Sequence, residues 1–167
     1  MRHSSTLPGG LFSLGFLRKR PGGRHRADGQ GEIGADDAPE LDEGARAILE
    51  AICRAARADG EVDEAERVEI MTAAEALTGA SIPPELVDAM IEHAVETAGA
   101  VHVGTLVSDA PETLHEAMMR GVLFVISARG HVVPEEWDFV TDLALEMQMS
   151  GERLREMVAE IAELRAA

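Results

Sequence analysis

One pattern occurs twice, seventy positions apart, and it restricts what the chain can fold into more than any other feature. The first copy runs Ala58-Asp59-Gly60-Glu61-Val62-Asp63-Glu64-Ala65-Glu66, and the second Ala128-Arg129-Gly130-His131-Val132-Val133-Pro134-Glu135-Glu136. In each, a glycine breaks one segment of helical apolar periodicity and a carboxylate opens the next. Ala47, Ala58, Gly60, Val62, Glu66 and Ala74 meet identical residues at this offset, while Ile48/Met118, Ile52/Val122 and Ile70/Val140 keep apolar character. Such a duplication predicts two related helical units. Each alone would expose an apolar stripe, so the two must pack together, as about a pseudo-two-fold.

The helical stripes follow from spacing. Ala45, Ile48, Leu49, Ile52, Cys53 and Ala56 form the first. A second helix over Glu64–Leu77 is expected to turn Val68, Met71, Ala74 and Leu77 inward. A third starts at Pro83-Pro84, since proline suits a first turn, and carries Leu86, Val87, Met90, Ile91 and Ala94. A short helix is expected over 100–108. A long one follows Asp109-Ala110-Pro111 with Leu114, Met118, Val122, Val125 and Ile126 inward. Another runs from Pro134 to about Met147, with Trp137 anchoring its hairpin. Ser150 caps the last, which carries Leu154, Met157, Val158, Ile161 and Leu164. No segment alternates with a period of two. The expectation is an all-α domain over residues 41–167, with six to seven helices in two repeated units packed as one bundle, preceded by a flexible tail over residues 1–40.

Charge is unevenly placed. Residues 1–27 hold Arg2, Arg18, Lys19, Arg20, Arg24 and Arg26 and no acid, which leaves 9 of the 15 basic residues against all 31 acids, a balance of −22. So acidic a body repels nucleic-acid phosphates and attracts cations or basic protein partners. Cys53 is the sole cysteine, which excludes an internal disulfide and a Cys/His zinc cluster. The longest apolar run, 121–128, is too short to span a bilayer. Residues 11–17 are apolar, but Arg18-Lys19-Arg20 follows them, the reverse of a signal peptide. The expected location is the cytoplasm, with weak, salt-sensitive contact between residues 11–26 and the inner membrane face as the peripheral variant.

The first loop carries five carboxylates in eight residues. Capping chemistry accounts for part of it. Gly60 suits a left-handed position after a helix, Val62 plugs the space between helices, and Asp63 with Glu66 fits a capping box. Asp59 is left over, at a helix C-terminus where the macrodipole disfavours negative charge. A hard divalent cation would offset the repulsion, with Ca²⁺ or Mg²⁺ favoured over Zn²⁺. Asp59, Glu61, Asp63, Glu66 and Glu136 are its candidate ligands. The loop is no EF-hand, because its glycine is second and its twelfth residue is Ile70. Arg129 replaces the aspartate in the second copy. If the two loops face each other, Arg129 reaches Asp59 or Glu66, and an internal cation stands in for the metal.

Other motifs carry less. His115-Glu116 opens like a zinc-protease helix, but Met119 stands where the second histidine belongs. His93 and His102 lack ligand partners at helical spacing, His131 is a weak ligand candidate, and Cys53 fits a core position. No nucleophile–base pair, phosphate loop or nucleotide signature is present, so no enzyme is expected.

Asp59-Gly60-x-Val62-x-x-x-Glu66 and Arg129-Gly130-x-Val132-x-x-x-Glu136 resemble the twice-repeated motif of the tellurite-resistance TerB family, which is also similar to the N-terminal domain of DnaJ-like membrane co-chaperones. The resemblance covers about residues 43–165. It implies a roughly seven-helix fold with acidic loops suspected of holding metal. It also implies a non-enzymatic role in stress response or tellurium-oxyanion resistance, among membrane-associated stress-response proteins. Arg129 departs from the motif.

Overall fold

The computed structural model describes residues 43–79, 81–97 and 111–167. Within them lie six helices: α1 (Glu43–Ala56), α2 (Glu64–Thr78), α3 (Pro84–Thr97), α4 (Glu112–Ile126), α5 (Pro134–Glu146) and α6 (Gly151–Ala166). No strand occurs among the described residues, and the protein is all-α. The expected tail, the helix over 100–108 and His102 lie outside the described residues.

The core is built on α1 and α4, which pack against each other more extensively than any other pair. Both are buried on most of their circumference. In α1 this is achieved with small residues: Ala45, Ala47, Ala51, Ala55 and Ala56 let neighbours approach closely, while Ile48, Leu49 and Ile52 supply the apolar volume. Met118, Met119, Val122 and Ile126 do the same in α4. Each such side chain contributes about 1.5–3 kcal/mol by leaving water. The aliphatic stripe expected of α1 is buried in full, and Cys53 with it. Burial pushes the Cys53 thiol up to about 12, with the charge of Glu50 adding to the effect.

Three apolar assignments are corrected. Val68 is 46% exposed, and the buried line of α2 is Glu66, Ile70, Ala73 and Ala74. This line follows the i, i+4, i+7, i+8 pattern, and Val68 sits some 200° around the helix from Glu66. Trp137 does not anchor the hairpin: it is 41% exposed, because Glu136 one residue earlier occupies the inward position. Leu164 is 39% exposed on the last turn of α6. Nothing is described of the Leu77 side chain.

The terminal signals hold. Gly79 ends α2 with φ +68, its N–H donating to the Glu75 carbonyl at 2.8 Å. The Ser150 hydroxyl accepts from the Arg153 N–H at 3.1 Å and caps α6. Arg165 returns α6 to the core, lying 3.9 Å over the Phe124 ring and pairing with Glu69 at 2.7 Å.

Candidate functional site

The two loops have the same local construction. Helix α1 ends at Ala56 and α4 at Ile126; each is followed by a turn of three residues and then a glycine with positive φ, +95 at Gly60 and +82 at Gly130. The glycine N–H donates to the carbonyl three residues back, from Gly60 to Arg57 at 2.8 Å and from Gly130 to Ser127 at 3.0 Å. A β-carbon at either glycine would meet nothing within 4 Å, so backbone conformation alone selects the residue.

The next helices begin on buried glutamates. Asp63 and Glu66 form the expected capping box: Asp63 Oδ1 accepts from the Glu66 N–H at 2.8 Å, and Glu66 Oε2 from the Asp63 N–H at 3.0 Å. In the second loop valine has no acceptor to offer, so only the reciprocal half survives, with Glu136 Oε2 accepting from the Val133 N–H at 2.8 Å. Pro134 at the first helical position removes a donor that would otherwise need a partner. Glu66 and Glu136 are each 0% exposed. One oxygen of each caps its own helix, leaving Oε1 of both for the interior.

Arg129 fills that interior. Its Nη2 donates to Glu136 Oε1 at 2.6 Å and to Asp59 Oδ2 at 3.1 Å, and its Nε lies 3.7 Å from Glu66 Oε1. The loops therefore face each other, and the arginine of one copy reaches both Asp59 and Glu66 of the other. Asp59 Oδ1 accepts from the Glu61 N–H at 3.1 Å. The unfavourable placement of Asp59 at the end of α1 is thus answered by a guanidinium held against it. The 3.7 Å ion pair is too long for a hydrogen bond, and Glu66 Oε1 and Arg129 Nε are both buried without a hydrogen-bond partner.

Titration follows from this arrangement. Burial pushes the Glu66 carboxyl up to about 7; the Asp63 N–H opposes this, the neighbouring Glu136 carboxyl adds to it, and Arg129 draws it back. Two buried carboxyls beside one guanidinium carry an excess of negative charge unless one holds a proton. For Arg129, burial works against the charge, but the hydrogen bonds to Glu136 and Asp59 and the charges of Glu66 and Glu136 outweigh it, and its pKa is raised.

Of the five candidate metal ligands, Asp59, Glu66 and Glu136 converge, and they do so on Arg129. Asp63 is turned to its cap, and Glu61 is exposed. Among the described residues no group of three or more His, Cys, Asp or Glu side chains is arranged to hold a metal ion. A divalent ion would have to displace the guanidinium. The full burial of Glu66 and Glu136 has a sequence signal, two acids standing on otherwise apolar lines, Glu66/Ile70/Ala73 and Glu136/Val140/Leu143; for Glu66 the capping box was a sufficient explanation without it.

His131 is exposed, as is His93. His115 and Glu116 line an open cleft of about 450 Å³ together with Gln148, Ser150 and Arg153. Arg153 is already committed there: it grips Glu116 with two hydrogen bonds, at 2.7 and 2.9 Å, and holds the Glu116 carboxyl below its ordinary range. No helix among the described residues is long and apolar enough to cross a membrane. No family model, curated protein or solved structure matches the chain.

Proposed function

We propose that the chain is a non-enzymatic, acidic helical interaction module whose two loops are locked by an internal cation, Arg129, in place of a bound metal. One observation carries the reading: a single guanidinium 2.6 Å from Glu136, 3.1 Å from Asp59 and 3.7 Å from Glu66. A charge so placed compensates Glu66 and Glu136, which would otherwise be buried with no counter-ion, at a cost of several kcal/mol. The acidic balance of the body favours basic protein partners and disfavours nucleic acid. A role in stress response or tellurium-oxyanion resistance belongs to the same proposal and rests on the TerB-like motif.

The second reading is a divalent-cation site. It is favoured by the buried Glu66 Oε1, which has no hydrogen-bond partner. An ion that displaced Arg129 would find Asp59, Glu66 and Glu136 as oxygen ligands, with Glu61 and Asp63 nearby. Thermal unfolding of the metal-free full chain separates the two, with Ca²⁺, Mg²⁺, Mn²⁺ or Zn²⁺ added and Asp59→Asn alongside. A bound ion at about one hundred times its dissociation constant stabilises by about 2.7 kcal/mol. The internal-cation reading expects no ion-dependent shift. A shift in the wild type that Asp59→Asn abolishes would establish the metal.

A further inference from the structure

Helix α5 presents a face that the rest of the described domain leaves uncovered. Trp137, Thr141 and Leu145 stand one turn apart on one line, with Trp137 41% and Leu145 72% exposed. The Thr141 hydroxyl is turned back onto the Trp137 carbonyl at 2.6 Å, so the line is effectively apolar. Asp138 and Asp142 run alongside, both exposed. The helix contains five acids and no lysine or arginine. Elsewhere Arg54, Arg67, Arg120, Arg129, Arg153 and Arg165 each pair with acids near them. Among the described residues, no ion pair involves Asp138 or Asp142.

The chain itself carries the complement. Leu11-Phe12-Ser13-Leu14-Gly15-Phe16-Leu17-Arg18-Lys19-Arg20 joins apolar residues to three consecutive cations, and no other part of the sequence does so. We propose that the Trp137–Leu145 face of α5 is the docking surface for this segment of the same chain, with Arg18, Lys19 and Arg20 against Asp138 and Asp142 and the apolar residues over Trp137 and Leu145. Reach is sufficient. Arg20 precedes Glu43, where α1 begins, by 23 positions. A chain of that length spans roughly 25 Å, against a radius of gyration of roughly 14 Å for a domain of this size. The contact makes the segment a competitor for basic apolar partners at the same surface, an autoinhibitory arrangement. This consequence rests on the interaction-module reading, while the contact itself is read out whether or not the Arg129 site takes a metal.

Trp137 is the sole tryptophan and reports on its own coverage. The experiment is acrylamide quenching of its fluorescence in the full-length chain, at low and high salt. The variants are Arg18→Glu/Lys19→Glu/Arg20→Glu, Asp138→Lys/Asp142→Lys, and the two sets combined. The expected result is a wild-type ring protected at low salt, with a quenching constant that rises about twofold in high salt or in either charge-reversed chain, since exposed ion pairs are screened. The combined variant restores protection. Equal quenching in all four chains overturns the proposal. So does protection that grows with protein concentration, which would assign the contact to a second copy.

Discussion

Arg129 stands at the position equivalent to Asp59, seventy residues on, and its guanidinium donates to the Asp59 carboxylate at 3.1 Å. The residue that breaks the repeated motif is therefore bonded to its own counterpart. Asp59 alone sets a carboxylate against the dipole of α1, and Glu66 and Glu136 alone are two acids without a counter-ion. The arginine answers all three. At these two positions the loops carry a complementary pair, where two aspartates would have set like charges together.

A charge exchange tests that complementarity. Arg129→Asp should destabilise by about 3–5 kcal/mol, since it leaves buried carboxylates with no cation. Adding Asp59→Arg should recover most of the loss, because the arginine then starts from the equivalent position in the first loop. Urea unfolding of the wild type, both single variants and the double variant yields the coupling energy. A double variant no more stable than the worse single one would remove the equivalence of the loops.

The raised Glu66 carboxyl gives the protein a pH dependence of definite sign. Its folded pKa of about 7 lies above the unfolded value, so the folded state holds the extra proton between about pH 4.5 and 7. The contribution is fully present below that window and is lost as pH rises through it, on the order of a few kcal/mol. Glu116 acts in the opposite sense, its stabilising pairing with Arg153 being lost in acid. Glu66→Gln should therefore flatten the decline of stability between about pH 5 and 8 while leaving the acid limb intact. Unfolding free energies measured across that range check it; an unchanged slope would locate the titrating group elsewhere.

Gly60 and Gly130 should respond alike to substitution. Each has positive φ and open space where a β-carbon would point. Alanine at either position should cost about 1–2 kcal/mol through the backbone alone, and asparagine less, as it tolerates the left-handed region better. Denaturation midpoints of the four variants read this directly.

Cys53 should be inert in the folded protein. It is fully buried and its thiol is pushed up to about 12, so the thiolate is scarce at neutral pH. Modification by an aromatic disulfide reagent should occur at the rate of unfolding and rise in step with urea. Rapid labelling of the native protein would contradict the placement of Cys53 in the core.

Much of this architecture was legible in periodicity and punctuation. The α1 stripe, the prolines opening α3 and α5, the Ser150 cap and the capping box at Asp63 each follow from local chemistry that tertiary packing did not override. Val68 and Trp137 were misread for one reason. The inward position beside each is held by a glutamate, and hydrophobic periodicity cannot register an acid as core. Once Glu66 and Glu136 are placed on the buried lines, Val68 lies about 200° and Trp137 about 100° around its helix from the buried glutamate, and both apolar residues face outward. That Arg129 reaches across to Asp59 was readable only on the condition that the loops face each other, a long-range fact that local pattern does not contain.

The central claim is that Arg129 is the cation of this site. Its most direct test is the unfolding free energy of Arg129→Met against wild type, in the absence of divalent ions, at about pH 8 and about pH 5. The account predicts a loss of about 3–5 kcal/mol at the higher pH, where the buried Glu66 carboxyl is left charged without its cation, and a much smaller loss at the lower pH, where Glu66 holds a proton. A loss below about 1 kcal/mol at both values, the magnitude of an exposed ion pair, would contradict it.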